Sequence, residues 1–379
     1  MALKHWLQLS LTDGIGPIMA SRLIAAAGSA EMAAVADIGL LQSIEGIGQV
    51  KARQVRDAMR KAAGDVEQEL TEAAEMGIAI FCQEDTGYPP LLRTIPDPPL
   101  VLYVKGNFES RDLNAVAIVG SRKCSFYGRE QADRFAGLLA SAGVTVISGG
   151  ARGIDSAAHR GAIASPQGRT IAVLGCGVDE IYPPENGDLF DQIAQRGAVV
   201  SEFPLGTPPL RENFPRRNRI ISGMSRGVLV IEADEKSGAL ITARQAADDH
   251  GRAVFALPGR VDNPVSAGPH ALIRDGAVLT TNLEDILDNL GPLPAIVAEA
   301  LPESLPAEPS SSDAGPRPVV NLTARQQALI DAMDSDPVDV DTLIGRTDLS
   351  AAVVLQELTL LSLRGAVERV DGQKFARRG

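Results

Sequence analysis

The stretch that decides the fold is Ala115 to Asp155, AVAIVGSRKCSFYGREQADRFAGLLASAGVTVISGGARGID. Ala115–Val119 is a short apolar run rich in β-branched residues, the pattern of a strand buried in a parallel sheet. Gly120-Ser121-Arg122 follows, where a loop leaves the carboxyl edge of that sheet. From Gly128 to Ala142 apolar residues recur at helical spacing, with Phe135, Leu138 and Leu139 on one face. Val144–Ser148 is a second strand, and it runs into Gly149-Gly150-Ala151-Arg152-Gly153. Strand, helix and strand joined by glycine-rich turns make a βαβ unit, and such sheets bind ligands beside the carboxyl ends of their strands. The pattern therefore predicts two glycine-lined loops, each carrying an arginine, that meet in one crevice. Backbone N–H groups laid open by glycine, together with a guanidinium fork, suit a phosphate above other ligands.

The same rhythm continues downstream. Helical segments are expected at 154–164, 189–195, from Phe214 to about Ser225, and at 239–249, where Ser237 stands in an N-cap position. Strands are expected at 170–174, 198–201, 227–232, 253–257 and 277–279. Upstream, the proline-rich segment 81–107 reads as a connector that adds a strand at 100–104. The fold class that follows is α/β: an extended, Rossmann-like, doubly wound and mostly parallel sheet over residues 81–290.

The flanks differ in character. Residues 1–80 read as a helical domain, SAM/helix-hairpin-helix-like, with an internal echo: Gly14-Ile15-Gly16 returns as Gly46-Ile47-Gly48, an offset of 32 residues. Such a turn either joins two packed helices or presents backbone N–H groups to a DNA phosphate. The acidic character of the segment favours the first, while Lys51, Arg53, Arg56 and Arg60 make the second copy the better DNA candidate. Residues 291–318, dense in Pro, Ala, Glu and Ser, read as a flexible acidic linker. Residues 319–379 predict three helices, at 324–333, 340–344 and 351–364, and a hairpin around Asp371-Gly372, the signature of a winged helix. That segment carries 7 basic and 9 acidic residues, which favours a protein-contact or regulatory role over reading DNA.

Composition narrows the function. A length of 379 residues suits two or three domains, and 45% apolar residues suffice for a sizeable core. No apolar run approaches membrane-spanning length, and the N-terminal MALKHWLQLSLTDGIG lacks a signal-peptide core. Three cysteines far apart (Cys82, Cys124, Cys176) read as reduced thiols of a cytoplasmic protein. Four histidines without metal-ligand spacing give no reason to expect a metal. The net charge of −12 argues against coating duplex DNA through bulk positive charge, yet residues 111–290 hold 19 basic and 21 acidic residues, so the acidity lies mostly elsewhere.

The candidate ligand residues cluster in the loops of the central segment. GSRKCS lacks both the G-x-G-x-x-G spacing of a dinucleotide site and the Gly-Lys-Ser/Thr of a Walker loop, so no nucleotide cofactor is expected. Arg122, behind a strand-ending glycine, is the first candidate, with Gly120 and Ser121 beside it. Arg152 of the Gly149-Gly150 loop is the second, its competing role being an ion pair to Asp155. His159 reads as a hydrogen-bonded scaffold residue. Arg216-Arg217-Asn218-Arg219 is the densest basic cluster; on a helix Arg216 and Arg219 share a face and Arg217 points elsewhere. Ser237, Gly238 and Thr242 add donors at a helix N-terminus or simply cap it. Aromatic residues are only 4% of the chain, with Phe126, Tyr127, Tyr182, Phe203 and Phe214 placed in or near loops where bases stack.

At these motifs the chain resembles the DNA-processing protein A family (DprA, also called Smf). The phrases that carry the resemblance are IVGSR at 118–122, SGGARGIDSAAH at 148–159, AVLGCGVDEIYPPEN at 172–186, SEFPLG at 201–206, FPRRNRIISG at 214–223, EADEKSGALITA at 232–243 and ALPG at 256–259. They occur in order over residues 80–290 and are specific together. The resemblance implies an extended Rossmann-like domain that binds single-stranded DNA, protects it and loads the RecA recombinase during natural transformation. It also implies a homodimer, with no catalytic role. The family's basic DNA positions fall on Arg122 and Arg152, and Arg216, Asn218 and Arg219 join them from FPRRNR. Gly150 departs from the usual SGLA phrase, a change expected to loosen that loop. The alternative is an enzyme acting on a small nucleotide, similar to the lysine-decarboxylase-like phosphoribohydrolases. Their PGG-x-GT-x-x-E catalytic phrase is replaced here by SGALITARQ, without the glutamate.

Overall fold

The computed structural model describes residues 2–291, 324–333, 337–347, 349–350, 353–354, 357–358, 361, 367–371 and 374–377. Nine strands form the main sheet: β1 (Ile78–Cys82), β2 (Val101–Gly106), β3 (Ala115–Val119), β4 (Thr145–Ser148), β5 (Thr170–Val173), β6 (Ala198–Ser201), β7 (Gly227–Val230), β8 (Ala253–Ala256) and β9 (Val278–Leu279). Their spatial order is β1-β2-β6-β5-β4-β3-β7-β8-β9. β1 and β2 run antiparallel to their neighbours; the pairs from β6 across to β9 are parallel. Every residue of β3 through β7 is buried, which is why those strands read as unbroken apolar runs rather than alternating ones.

Alternate residues of each strand serve opposite faces. Ile171, Val173, Ala198 and Val200 pack with Ile220, Ile221 and Met224, whereas Ala172 and Val199 pack with Leu189, Phe190 and Ile193. The sheet is therefore wound on both sides, as the alternation of strands and helices predicts.

Before the sheet come α1 (Ala2–Leu11), α2 (Pro17–Ala27), α3 (Ala30–Ala34), α4 (Ile38–Ser43) and the long α5 (Gln49–Glu75). The Gly-Ile-Gly echo is a true structural repeat. Gly14 and Gly46 have φ of 84° and 87°, a conformation that favours glycine, and Ala20 and Ala52 each donate a 2.9 Å hydrogen bond to Gly16 and Gly48. Ile15 and Ile47 are both buried in the core those helices share with Ile78, Cys82, Val101 and Tyr103 of β1 and β2. So both turns sit between packed helices, whose core is continuous with the sheet's edge. β1 itself lies where the sequence reading places a domain boundary and a connector.

The chain divides into two compact units, and the smaller is the C-terminal one. In it the strands β10 (Val338–Asp339), β12 (Lys374–Arg377) and β11 (Val367–Asp371) form an antiparallel sheet in that order. Helices Ala324–Asp331 and Val340–Thr347 match two of the three expected. Most of the third, and of the linker at 291–318, lies outside the described residues. Leu329, Leu343, Leu358, Leu361 and Phe375 are among the core residues of this unit. Among the described residues no helix is long and apolar enough to cross a membrane.

Between β4 and β5 runs α6 (Ile154–Ala164), which buries His159 completely. Thr170 donates its hydroxyl proton to the Val146 carbonyl at 2.7 Å, so its oxygen accepts from His159 Nδ1, also at 2.7 Å. His159 Nε2 is left with no partner, and a second proton there would bury an unpaired charge. Burial first, then the Arg217 and Arg160 charges, push its pKa down to about 3. The unfolded chain binds this proton below about pH 6.5 and the folded chain does not. Stability is therefore complete above that pH and falls toward pH 3 by about 1.4 kcal/mol per pH unit on this account. Urea titrations across that range should show His159→Asn flattening the slope by about that amount.

Candidate functional site

The two arginine-bearing loops meet because glycine lets their backbones touch. An added Cβ at Gly153 (φ +77°) would lie 2.4 Å from the Ser121 carbonyl oxygen. At Gly120 it would lie 2.6 Å from Ile154 and 2.8 Å from the Glu232 carbonyl. Ile154 N donates to Ser121 O at 3.3 Å across the contact, and Ser121 N donates to Glu232 O at 2.7 Å, which ties the Arg122 loop to the chain just after β7. Gly150, with φ +65°, is buried against the Phe190 ring, so this position is packed rather than loosened.

β3 is flanked by β4 on one side and β7 on the other, so the chain's direction of travel across the sheet reverses between β3 and β7. A cleft of about 830 Å³ opens there, at the carboxyl ends of those strands. Gly120, Ser121, Arg122, Asn218, Ser237 and Gly238 line it, together with Thr242. Gly149 and Arg152 line a small recess next to it, which shares Arg122, Ala151, Tyr182 and Phe214 with the cleft. Arg122 is exposed, with its guanidinium 5.0 Å from the centre of the Phe214 ring, and Phe214 packs on Tyr182 at 5.6 Å. Two of the five aromatic residues expected near loops therefore stand at the site. Ser237 Oγ accepts from Ala239 N at 3.3 Å, which is helix capping, and Asn218 Nδ2 donates to the Gly238 carbonyl at 3.3 Å.

The arginine cluster is arranged differently from the sequence reading. It lies on α7 (Asn213–Gly223), which lines the cleft with Phe214, Arg217, Asn218 and Ile221, at i, i+3, i+4 and i+7, and with Pro215 of its first turn. Arg217, expected to point away, is the residue on the cleft floor. It is 3% exposed, and its guanidinium donates to the Gly149 carbonyl at 2.7 Å and to the Val173 carbonyl, while Nε has no partner. An added Cβ at Gly149 would sit 2.4 Å from this guanidinium, so glycine is needed for it to pass. Burial lowers the Arg217 pKa to about 10, against the pull of Asp155, so it is charged at neutral pH. Asp155, itself buried, accepts from Ala151 N at 3.4 Å, and burial raises its pKa against the Arg217 charge.

Arg219 is not in the cleft. Its side chain is 7% exposed and pairs with Glu202 and, at 3.0 Å, with Asp97. Arg216 is exposed but outside the cleft lining, its guanidinium 5.5 Å from the Phe203 ring centre. Sharing a face, the two were expected at the ligand together; that face turns toward Glu202 and Phe203 instead. Arg152 pairs not with Asp155 but with Glu185. Besides Arg217, the sequence reading passed over Lys123 and Arg211, which also line the cleft. For Arg217 a signal exists: it precedes the core residues Ile220 and Ile221 by three and four positions, which turns it inward. Arg122, Lys123, Arg211 and Arg217 face Asp155 and Asp234, so the cleft is cationic in a protein of net charge −12.

The family model of DNA recombination-mediator protein A matches residues 79–291, and that of the DprA winged helix domain matches residues 308–373. The Smf protein of Synechocystis is 34% identical over 99% of this chain and 98% of its own length. The chain belongs to the DNA-processing protein A family. Smf of Escherichia coli is 51% identical over 54% of each chain, and DprA of Streptococcus pneumoniae is 44% identical over 54% of this chain and 71% of its own. The crystal structure of S. pneumoniae DprA covers 76% of this chain and 98% of its own, with a TM-score of 0.67 and 33% identity. Family membership thus accounts for the Rossmann-like sheet and the winged helix that follows it.

Breaking a buried ion pair leaves a charge without its partner, so Arg219→Ala should cost about 3–5 kcal/mol in chemical denaturation. A loss below 1 kcal/mol would mean that Arg219 is not held as described.

Proposed function

We propose that this protein binds single-stranded DNA along the switch-point cleft and acts as a recombination mediator without catalysing a reaction itself. The observation that carries the reading is the Arg122 guanidinium laid on the Phe214 ring at a cleft floored by charged Arg217. Phosphates lie against Arg122 and Arg217, with Arg152 reached through the adjoining recess. Phe214 is covered by Arg122 and packs on Gly175, so the half-exposed Tyr182 beside it is the ring on which an unstacked base, which a duplex does not present, would lie. The net charge of −12 keeps the rest of the surface from holding nucleic acid indiscriminately. Protection of the strand, loading of RecA onto it during natural transformation, and a homodimeric state are the finer parts of this proposal. Family membership supports them; no residues are assigned to the RecA or dimer contacts.

Replacing both Arg122 and Arg152 by Ala should leave thermal melting unchanged. Affinity for oligo-dT should fall at least tenfold, and the slope of log affinity against log salt should flatten by about 1.4, two phosphate contacts at 0.7 each. Equal affinity in gel-shift titration would sink the reading. Release of free base from nucleoside monophosphates would instead favour a hydrolase.

A further inference from the structure

Arg152, which lines the recess beside the cleft, is already paired with an anion of the protein's own, Glu185. Both Glu185 carboxylate oxygens face Arg152: Oε1 accepts from Nε, and Oε2 accepts from Nη2 at 3.0 Å. This two-pronged geometry is the one in which a guanidinium grips a phosphate. The turn that carries Glu185 is held in place. Asn186, next in the chain and 2% exposed, donates from Nδ2 to the Gly150 carbonyl at 2.9 Å and to Ser156 Oγ at 2.8 Å. Ser156 Oγ in turn donates to the Ala151 carbonyl at 2.6 Å. The turn carrying Glu185 is thereby fastened to the loop carrying Arg152, across 33 residues of sequence. Pro183 and Pro184 restrict the backbone just before it. Yet the two side chains are 52% and 51% exposed, so the pair contributes little to stability and is free to exchange.

We infer that Glu185 is a built-in competitor for the phosphate position at Arg152, a specificity element that an incoming strand must displace. The inference rests on the reading that Arg152 contacts DNA phosphate. A lone phosphate or mononucleotide gains nothing by trading one anion for another at Arg152. A strand that also engages Arg122 and Arg217 gains contacts elsewhere and carries the exchange through. Glu185 thus favours multi-phosphate strands over small anions.

The test is a double-mutant cycle in the full-length protein, using oligo-dT titrations at low and high salt. Glu185→Gln should bind about fivefold more tightly at low salt, with a smaller gain at high salt, where the competing pair is already screened. In the Arg152→Ala background the same substitution should give no gain. Thermal melts of all variants should match the wild type, since both side chains are exposed. If Arg152→Ala weakens binding but Glu185→Gln gives no gain, the competitor is refuted and the binding reading stands. An equal gain with and without Arg152 also refutes it, since Glu185 then acts only through its general charge. If Arg152→Ala leaves affinity unchanged, Arg152 is not a contact and the binding reading fails there, taking the inference with it.

Discussion

Everything at the site depends on two backbones lying closer than side chains permit. The Gly120–Arg122 turn and the Gly149–Gly153 turn are pressed together at Gly153 and Ser121, and Gly149 clears the space through which Arg217 reaches the strand ends. A methyl group at any of these glycines would collide with backbone or with the Arg217 guanidinium, which main-chain carbonyls hold in place. The contact is fixed by main-chain hydrogen bonds, so Arg122 and Arg152 are placed by parts of the molecule with little freedom to move. Long, flexible side chains acquire a definite location from a rigid base.

α7 carries two buried arginines two positions apart, and they behave in opposite ways. Arg219 is met by carboxylates, which cancel its charge. Arg217 is met by carbonyl oxygens, which satisfy hydrogen bonds and leave the charge in place. The cleft inherits its positive character from that difference. Asp155, which crowds the same side of Gly149 as the Arg217 guanidinium, moderates it: burial lowers the Arg217 pKa to about 10, and that carboxylate opposes the shift.

The sheet was legible because each buried strand is a short apolar run bounded by glycine or proline, and the crevice followed from the order of strands and helices. The Arg122 loop could be read for the same reason, since it directly follows such a run. The helix bearing FPRRNR could be placed but its rotation could not be judged from its charges. Arginines look alike in a run, and the face they occupy is set by where Ile220, Ile221 and Met224 pack. β1 escaped notice because IAIFC owes its strand conformation to pairing with β2, from Ile78 opposite Lys105 to Cys82 opposite Val101. The partner of Arg152 was likewise hidden: nearby Asp155 looked suitable, but it turns toward Ala151, and a residue 33 positions away takes the ion pair. Contacts of that range depend on folding already achieved.

The helices before the sheet share their apolar interior with β1 and β2, and that has a consequence for how the chain tolerates division. β1 is the outermost strand, and α1 and α5 both pack on it. Glu69 of α5 also accepts a hydrogen bond from Leu205 N, in the loop between β6 and α7. Cutting after residue 77 would strip the covering from the apolar face formed by Ile78, Cys82, Val101 and Tyr103, the kind of surface through which chains adhere to one another. The N-terminal helices are thus a seal on the sheet rather than an appendage, and any construction that omits them has to supply another cover.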